Sequence, residues 1–396
     1  MRFAILGGSF NPIHIGHLSL AEAVLNELNY HRVIFIPAFQ SPLKAKSEGA
    51  STLDRMEMLA AAIAGNPRFT LDNCEIRRRG ISYTIDTLAD IITRYEPEGK
   101  PGLILGNDLV SGFDKWRSHR EITEIADIII AKRLSSDGTV DDTSAFPHPH
   151  ITLNNDIIDL SSRQLREEIS RDGNWQNLVP AGAGAVIRER SLYDYSGAKS
   201  TPDEIEPNLI LRIENDVRNT LDFDRFIHCR NTALLSWDLC LRYGLDADKG
   251  YLAGIAHDLC KELGSEELIT VALMDGEKQS KLEKKKPGLL HARAAAVLVE
   301  RKYGINDKDI LDAIRYHTTG GKDMCPLAKI VYIADKIEIS RVGVDPDLRK
   351  MALSSDLDTL FSAVLDDTVA HLKSRQLDLS YGTKRLLAAM KKRNES

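Results

Sequence analysis

Basic charge is in excess nowhere in this chain. Its 396 residues carry 52 Lys and Arg against 58 Asp and Glu, a formal net charge of −6. The 22 basic and 26 acidic side chains up to residue 200, and the 30 and 32 beyond it, leave neither half with the positive field of a nucleic-acid binder. Cysteine is scarce too. Cys74, Cys229, Cys240, Cys260 and Cys325 are odd in number and form no CxxC pair, which argues against a disulfide framework and fits a reducing, cytoplasmic home. No apolar run reaches the roughly 18 residues of a membrane span, and the first is cut short by Gly7 and Gly8, so neither a secretory leader nor a membrane partner is expected. Internal repeats and heptad seams are missing as well. Helical domains can dimerise through an apolar face, so a homo-oligomer stays open without a seam to specify it.

What is present is an ordinary globular composition, 43% hydrophobic and 28% charged, on a chain too long for one core and suited to two or three domains. Up to about residue 190, short β-branched runs (Phe3 to Leu6, Arg32 to Ile36, Leu103 to Leu105, Asp127 to Ala131) alternate with helical patterns at Leu18 to Leu28, Thr52 to Ala64 and Thr84 to Tyr95. That alternation predicts an α/β, doubly wound parallel sheet. A Pro-rich and Gly-containing stretch around residues 194–207 reads as a linker between a domain at 1–193 and another at 208–396. Beyond it every apolar period is helical, including Leu252 to Leu263, and an all-α domain is expected. The basic run Lys281 to Lys286, closed by Pro287, reads as a solvated loop.

The sharpest local signal is GGSFNPIHIGHL, residues 7–18, between the first strand and the first helix. Gly7 and Gly8 allow a tight turn, and Gly16 allows the backbone to approach a ligand. His14 and His17 fall at the helix entrance, where free N–H groups and the dipole favour phosphate. The carboxyl end of the first strand is where such a sheet receives a nucleotide.

HIGH, residues 14–17, is the signature of the nucleotidyltransferase superfamily and of class I aminoacyl-tRNA synthetases, but the chain lacks a KMSKS-like loop and an anticodon-binding region. With IPAFQSPLK (36–44), RRRGISYTIDTL (77–88), LGNDLVSGFDKW (105–116), IIIAKR (128–133) and LSSRQLR (160–166), residues 1–193 closely resemble bacterial nicotinate mononucleotide adenylyltransferase, and the SYTIDT and GNDL segments speak against phosphopantetheine adenylyltransferase. The resemblance implies transfer of AMP from ATP, with its Mg²⁺, to nicotinate mononucleotide, giving deamido-NAD and pyrophosphate. It assigns Gly7, Gly8, Ser9, Phe10, His14, Gly16, His17, Lys44, Gly106, Asp108, Ser161, Ser162 and Arg166 to ATP, with His14 and His17 catalytic. Tyr83, Thr84, Trp116 and Arg133 fall to nicotinate mononucleotide. Trp116 also reads as a core aromatic, the Arg77 to Arg79 run as solvated surface, and Ser161 and Ser162 as helix caps. Arg163 replaces the family's usual Thr, facing either pyrophosphate or solvent.

In the second half, His228, His257, Asp258, His291, His317 and Asp335 recur along helical segments. A lone His on an apolar helix is commonly a core residue, but four of five histidines joining an adjacent His-Asp pair and a late Asp is a metal-ligand pattern. The strings RFIHCRNTA, AGIAHDLCKE, LLHARAA, IRYHTTG and YIADKIEISR resemble the YqeK-type family of HD-domain phosphohydrolases over residues 208–390. The resemblance implies symmetrical cleavage of diadenosine tetraphosphate to two ADP at a two-metal centre, with Fe or Mn held by the six residues and Asp258 bridging. Lys261, expected on the helix face of His257, either neutralises a substrate phosphate or is an exposed lysine. Lys336 and Arg341 are further candidates, although Ile339 and Ser340 replace the family's Pro and Gly. His371 reads as structural. A regulatory module that binds nucleotide without turnover, or a hydrolase of another nucleotide, remains the alternative for this half.

Overall fold

The computed structural model describes residues 1–40, 49–132, 146–196, 209–341 and 343–394, with the side chains of 392–394 excepted. The chain divides into two compact units, Met1–Glu204 and Ile205–Ser396. Of the linker proposed from sequence, residues 197–207 lie outside the described residues.

The first unit is built on six parallel strands: β1 (Phe3–Gly8), β2 (Arg32–Pro37), β3 (Phe69–Leu71), β4 (Gly102–Gly106), β5 (Asp127–Ala131) and β6 (His150–Thr152). Their order is β3-β2-β1-β4-β5-β6, the doubly wound arrangement whose direction reverses between β1 and β4. The inner strands carry near-continuous apolar runs because both faces are covered. Phe3, Ile5, Ile34, Ile36, Leu103, Leu105, Ile128 and Ile130 share one face with Leu88, Ile91 and Phe113, as the two-residue period of a strand requires. Helices α1 (Ile15–Glu27), α2 (Thr52–Ala62), α3 (Cys74–Arg78), α4 (Thr84–Tyr95), α5 (His119–Ile125), α6 (Ser162–Ser170) and α7 (Ala181–Glu189) complete the unit. The three-residue strands β3 and β6 carry too short a period to be read from sequence.

The second unit is helical, and none of its described residues forms a strand. It comprises α8 (Leu209–Thr220), α9 (Phe223–Arg242), α10 (Ala247–Ala256), α11 (Ser265–Ala272), α12 (Lys281–Lys285), α13 (His291–Tyr303), α14 (Lys308–Tyr316), α15 (Pro326–Ile337), α16 (Pro346–Ser354), α17 (Leu357–Ser374) and α18 (Tyr381–Asn394). Asp222, Asp246, Asp307 and Asp356 each accept a backbone N–H at a helix start. Two expectations are corrected. The Lys281 to Lys286 run is a short helix capped by Ser280 rather than a loop. The pattern expected to run to Leu263 stops at Ala256, so His257, Asp258 and Lys261 lie in turns past α10 and share no helix face. α10 lies close on α9 because Gly254 has no side chain: a Cβ there would stand 2.5 Å from the Ala233 Cα. Fully buried Arg230 pairs with Glu214 at 2.9 Å, and the Tyr251 hydroxyl donates to the same carboxylate, joining α8, α9 and α10. No helix among the described residues is long and apolar enough to cross a membrane.

Asp72, just after β3, is a buried charge of the first unit. Arg94 grips both its oxygens at 2.8 and 2.9 Å, and the Tyr95 hydroxyl donates at 2.8 Å. Burial pushes this carboxyl up, but Arg94 outweighs it and holds the group below its ordinary range. A carboxyl depressed in the folded state contributes stability that is complete above its unfolded pKa of about 3.9 and disappears as pH falls towards the folded value. Asp72→Asn is therefore expected to cost the first unit about 3 kcal/mol at pH 7, with the difference from wild type narrowing below about pH 4. Urea denaturation across pH checks both.

Candidate functional site

In the first unit the loop between β1 and α1 lies at the carboxyl edge of the sheet, beside the point where strand order reverses. Gly7 and Gly8 end β1 without positive φ, and the sharp turn falls at Phe10, with φ of 44°. Phe10 buries its side chain against Phe35 and the edge of the His17 ring. Gly16 also differs from expectation: the space its Cβ would take is filled by the His14 ring, 3.1 Å away. His14 caps α1, its ring 3.8 Å from that of His17, and its backbone N–H donates to His17 Nδ1 at 3.3 Å. An Nδ1 that accepts leaves the proton of neutral His17 on Nε2, a donor at the open N-terminus of α1.

The other motifs converge on this loop. Ser161 caps α6, while Ser162 Oγ donates to the Pro12 carbonyl at 3.0 Å and Arg166 to that of Asn11 at 2.8 Å. Arg163 points outwards and meets Glu167, leaving it on the solvent side. Gly106 ends β4, and Asp108 is exposed on the turn that follows. Tyr83, at the start of α4 before Thr84, and Trp116 both pack half-buried on the Phe113 cluster, and the Arg117 guanidinium lies 4.9 Å over the Tyr83 ring. Sequence reasoning missed Arg55, which is buried in α2 and donates to the Ser9 and Ala38 carbonyls at 2.6 and 2.8 Å. It also missed Lys132, Asn155 and Ile158, which line a cleft with His14, Gly16 and His17. Lys44 and Arg133 lie outside the described residues.

In the second unit the six His and Asp residues named from sequence meet in one buried cluster, none more than 6% exposed. His257, His291 and His317 each present Nδ1 to the carbonyl three residues earlier, that of Gly254, Gly288 and Ile314, at 2.7, 2.6 and 2.7 Å. A carbonyl only accepts, so each Nδ1 bears the proton and each Nε2 turns a lone pair inwards. Glu338, 1% exposed, does the same for His228 at 3.0 Å, and is held in turn by the Ser340 N–H and hydroxyl. Such partners fix tautomer and ring orientation in metal-ligating histidines.

Two donor sets result. His291 Nε2 and His317 Nε2 lie 3.0 and 3.4 Å from Asp258 Oδ1 and 3.1 Å from each other. His257 Nε2 is 3.5 Å from Asp258 Oδ2, while His228 Nε2 is 3.1 Å from Asp335 Oδ1. Tetrahedral bonds of about 2.0–2.1 Å place ligand atoms about 3.3 Å apart. Burial pushes the Asp258 carboxyl up, but the surrounding imidazoles, His257 foremost, hold it well below the ordinary range; burial pushes His317 down to about 3. At Asp258 an ionised carboxylate thus faces a neutral His317 ring. His257 Nε2 and Asp258 Oδ1 are buried without a hydrogen-bond partner, which is the condition a divalent cation relieves. Arg225, Lys261, Lys336 and Arg341, each partly exposed, rim the cluster and reach its carboxylates. Lys261 therefore faces the centre despite its place beyond the helix. Arg225, Thr318 and Glu338 carried no distinguishing signal in the sequence. His371 is exposed, away from the cluster.

Residues 5–168 match the cytidylyltransferase-like family and residues 225–340 the HD domain. A probable nicotinate-nucleotide adenylyltransferase of Treponema pallidum (strain Nichols) is 38% identical over 202 residues, 49% of this chain and 99% of that protein. The first half of this chain belongs to the nicotinate-nucleotide adenylyltransferase family. Borreliella burgdorferi has a member of this family 36% identical over 193 residues, 49% of this chain and 97% of its own. For the second half, a solved structure from Clostridium acetobutylicum, described as an HD superfamily hydrolase involved in NAD metabolism, is 32% identical, covering 46% of this chain and 96% of that one, with a TM-score of 0.43.

The HD match spans all six clustered His and Asp residues. Because Asp258 serves both donor sets, Asp258→Ala is expected to remove about two equivalents of bound transition metal per chain, and His291→Ala about one. Elemental analysis after dialysis measures the loss, and circular dichroism confirms the fold.

Proposed function

We propose that the chain is a bifunctional enzyme, with residues 1–193 joining ATP and nicotinate mononucleotide and residues 208–396 hydrolysing diadenosine tetraphosphate, both in the cytoplasm. The adenylyltransferase reading rests on family membership together with the His14 and His17 pair at the start of α1. The phosphate of nicotinate mononucleotide attacks the α-phosphorus of Mg²⁺-bound ATP and pyrophosphate leaves. No side chain needs to act as nucleophile, so positioning and charge neutralisation carry the rate. His17 donates from Nε2 to the phosphates, His14 and the α1 N–H groups stand beside it, and Lys44 approaches the triphosphate. Gly7, Gly8, Ser9, Phe10, Gly16, Gly106, Asp108, Ser161, Ser162 and Arg166 border ATP. Tyr83, Thr84, Trp116 and Arg133 hold the pyridine nucleotide, with the indole of Trp116 as a stacking face.

The hydrolase reading rests chiefly on the four imidazoles pinned through Nδ1 around Asp258. His228, His257, Asp258, His291, His317 and Asp335 would hold two divalent ions, and a mixed imidazole and carboxylate set suits Fe or Mn. Such ions neutralise charge at an attacked phosphate and acidify water. The chain's own residues do the rest. Lys261 with Arg225, Lys336 and Arg341 forms a basic rim around a buried anionic floor, an arrangement matched to a long polyphosphate. Water adds at a phosphorus and ADP leaves as the second product.

Incubated with ATP and nicotinate mononucleotide, the purified chain is expected to form deamido-NAD and pyrophosphate. His17→Ala should lower kcat about 10²–10³-fold while leaving the hydrolase intact. Anion-exchange analysis of diadenosine tetraphosphate digests should give ADP alone. AMP with ATP contradicts symmetrical cleavage, and an inert chain that retains nucleotide in equilibrium dialysis supports a sensor instead.

A further inference from the structure

We propose that Asp114, His119 and His148 form a separate surface site for a zinc-like dication on the first unit. Three segments distant in sequence supply it: the 3₁₀ turn Asn107–Lys115, the first residue of α5, and the stretch leading into β6. Their ligand atoms lie within 4.8 Å of one another. His148 Nε2 is 3.4 Å and His119 Nε2 3.9 Å from the same atom, Asp114 Oδ1. The first spacing matches the edge of about 3.3 Å between ligands of tetrahedral zinc, and a few tenths of an ångström of side-chain adjustment brings in the second.

Both rings are seated rather than loose. Phe113, fully buried, meets His148 and His119 edge-on at centroid distances of 5.6 and 6.3 Å, and Phe146 meets His148 at 5.2 Å. Two imidazole nitrogens converging on one carboxylate oxygen have the spacing that ligands of a shared cation take. The imidazole side chains are 25% and 18% exposed and Asp114 is 69% exposed, so an ion reaches the site from solvent. Two imidazoles and one carboxylate select zinc, nickel or copper over the hard cations Mg²⁺ and Ca²⁺. Three protein ligands leave a fourth position to water. A cation here clips the start of edge strand β6 to the turn that precedes Trp116.

The test is zinc uptake by the metal-stripped full-length chain in equilibrium dialysis, with Mg²⁺ in parallel. The wild type is expected to bind one equivalent of zinc more than the His119→Ala/His148→Ala double variant. In an Asp258→Ala background the unfolding midpoint should rise by roughly 5 °C at saturating zinc, a rise absent once His119→Ala/His148→Ala is added. Asp114→Asn, on an exposed side chain where folding is not at stake, should lose the same equivalent, and Asp258→Ala should keep it. Equal zinc uptake by the wild type, Asp114→Asn and the double variant would overturn the site. Uptake of Mg²⁺ lost in Asp114→Asn would overturn its chemical class.

Discussion

Three buried imidazoles give their Nδ1 protons to carbonyls three residues earlier, and much of the second unit is arranged around that interaction. It fixes the tautomer, so the lone pairs of His257, His291 and His317 turn inwards. Two of the three pins use the last turn of a helix, where carbonyls have lost their N–H partners: α10 stops at Ala256 and α14 at Tyr316, and the next residue in each case is a ligand. Gly254 serves twice, supplying a carbonyl to His257 and letting α10 settle on α9, the helix that carries His228. Breaking any one of these pins would leave a buried nitrogen in the wrong protonation state rather than merely a looser ring.

On the proposed reading the first unit solves the same problem, how a net-negative protein handles polyphosphate, with different parts. Here the donors are an N-terminus, a histidine Nε2 and backbone held in place from behind. Arg55 and Arg166 spend their guanidinium groups on the carbonyls of Ser9, Ala38 and Asn11, so the loop's shape depends on cations that face backbone. In the second unit the basic side chains stand on the rim instead. Both arrangements place positive charge within a few ångströms of where a phosphate is needed, which the overall charge of −6 cannot do.

The doubly wound sheet, the all-α second unit and the six His and Asp residues that cluster were legible in the sequence because strand runs, helical periods and motifs are local patterns. What stayed hidden was tertiary. β3 and β6 are three residues each and are defined by the neighbours they pair with. The turn after β1 fell to Phe10 instead of its glycines because Phe10 gains burial against Phe35, which offsets the strain of positive φ. Lys261 was assigned a helix face that does not exist, since the carbonyl pin of His257 terminates α10 first. Arg225, Thr318 and Glu338 look like ordinary helix and turn residues until packing brings Thr318 against His291 and His317, Glu338 against His228 and Arg225 against Asp258.

The central claim is that Asp258 is shared by two metal ions whose other ligands are Asp335 and four pinned imidazoles. Low-temperature electron paramagnetic resonance of the full-length chain loaded with two equivalents of Mn²⁺ tests it most directly. Ions about 4 Å apart and bridged by one carboxylate should give the broad spectrum of an exchange-coupled pair. Two equivalents appearing as isolated six-line Mn²⁺ signals would contradict a shared centre.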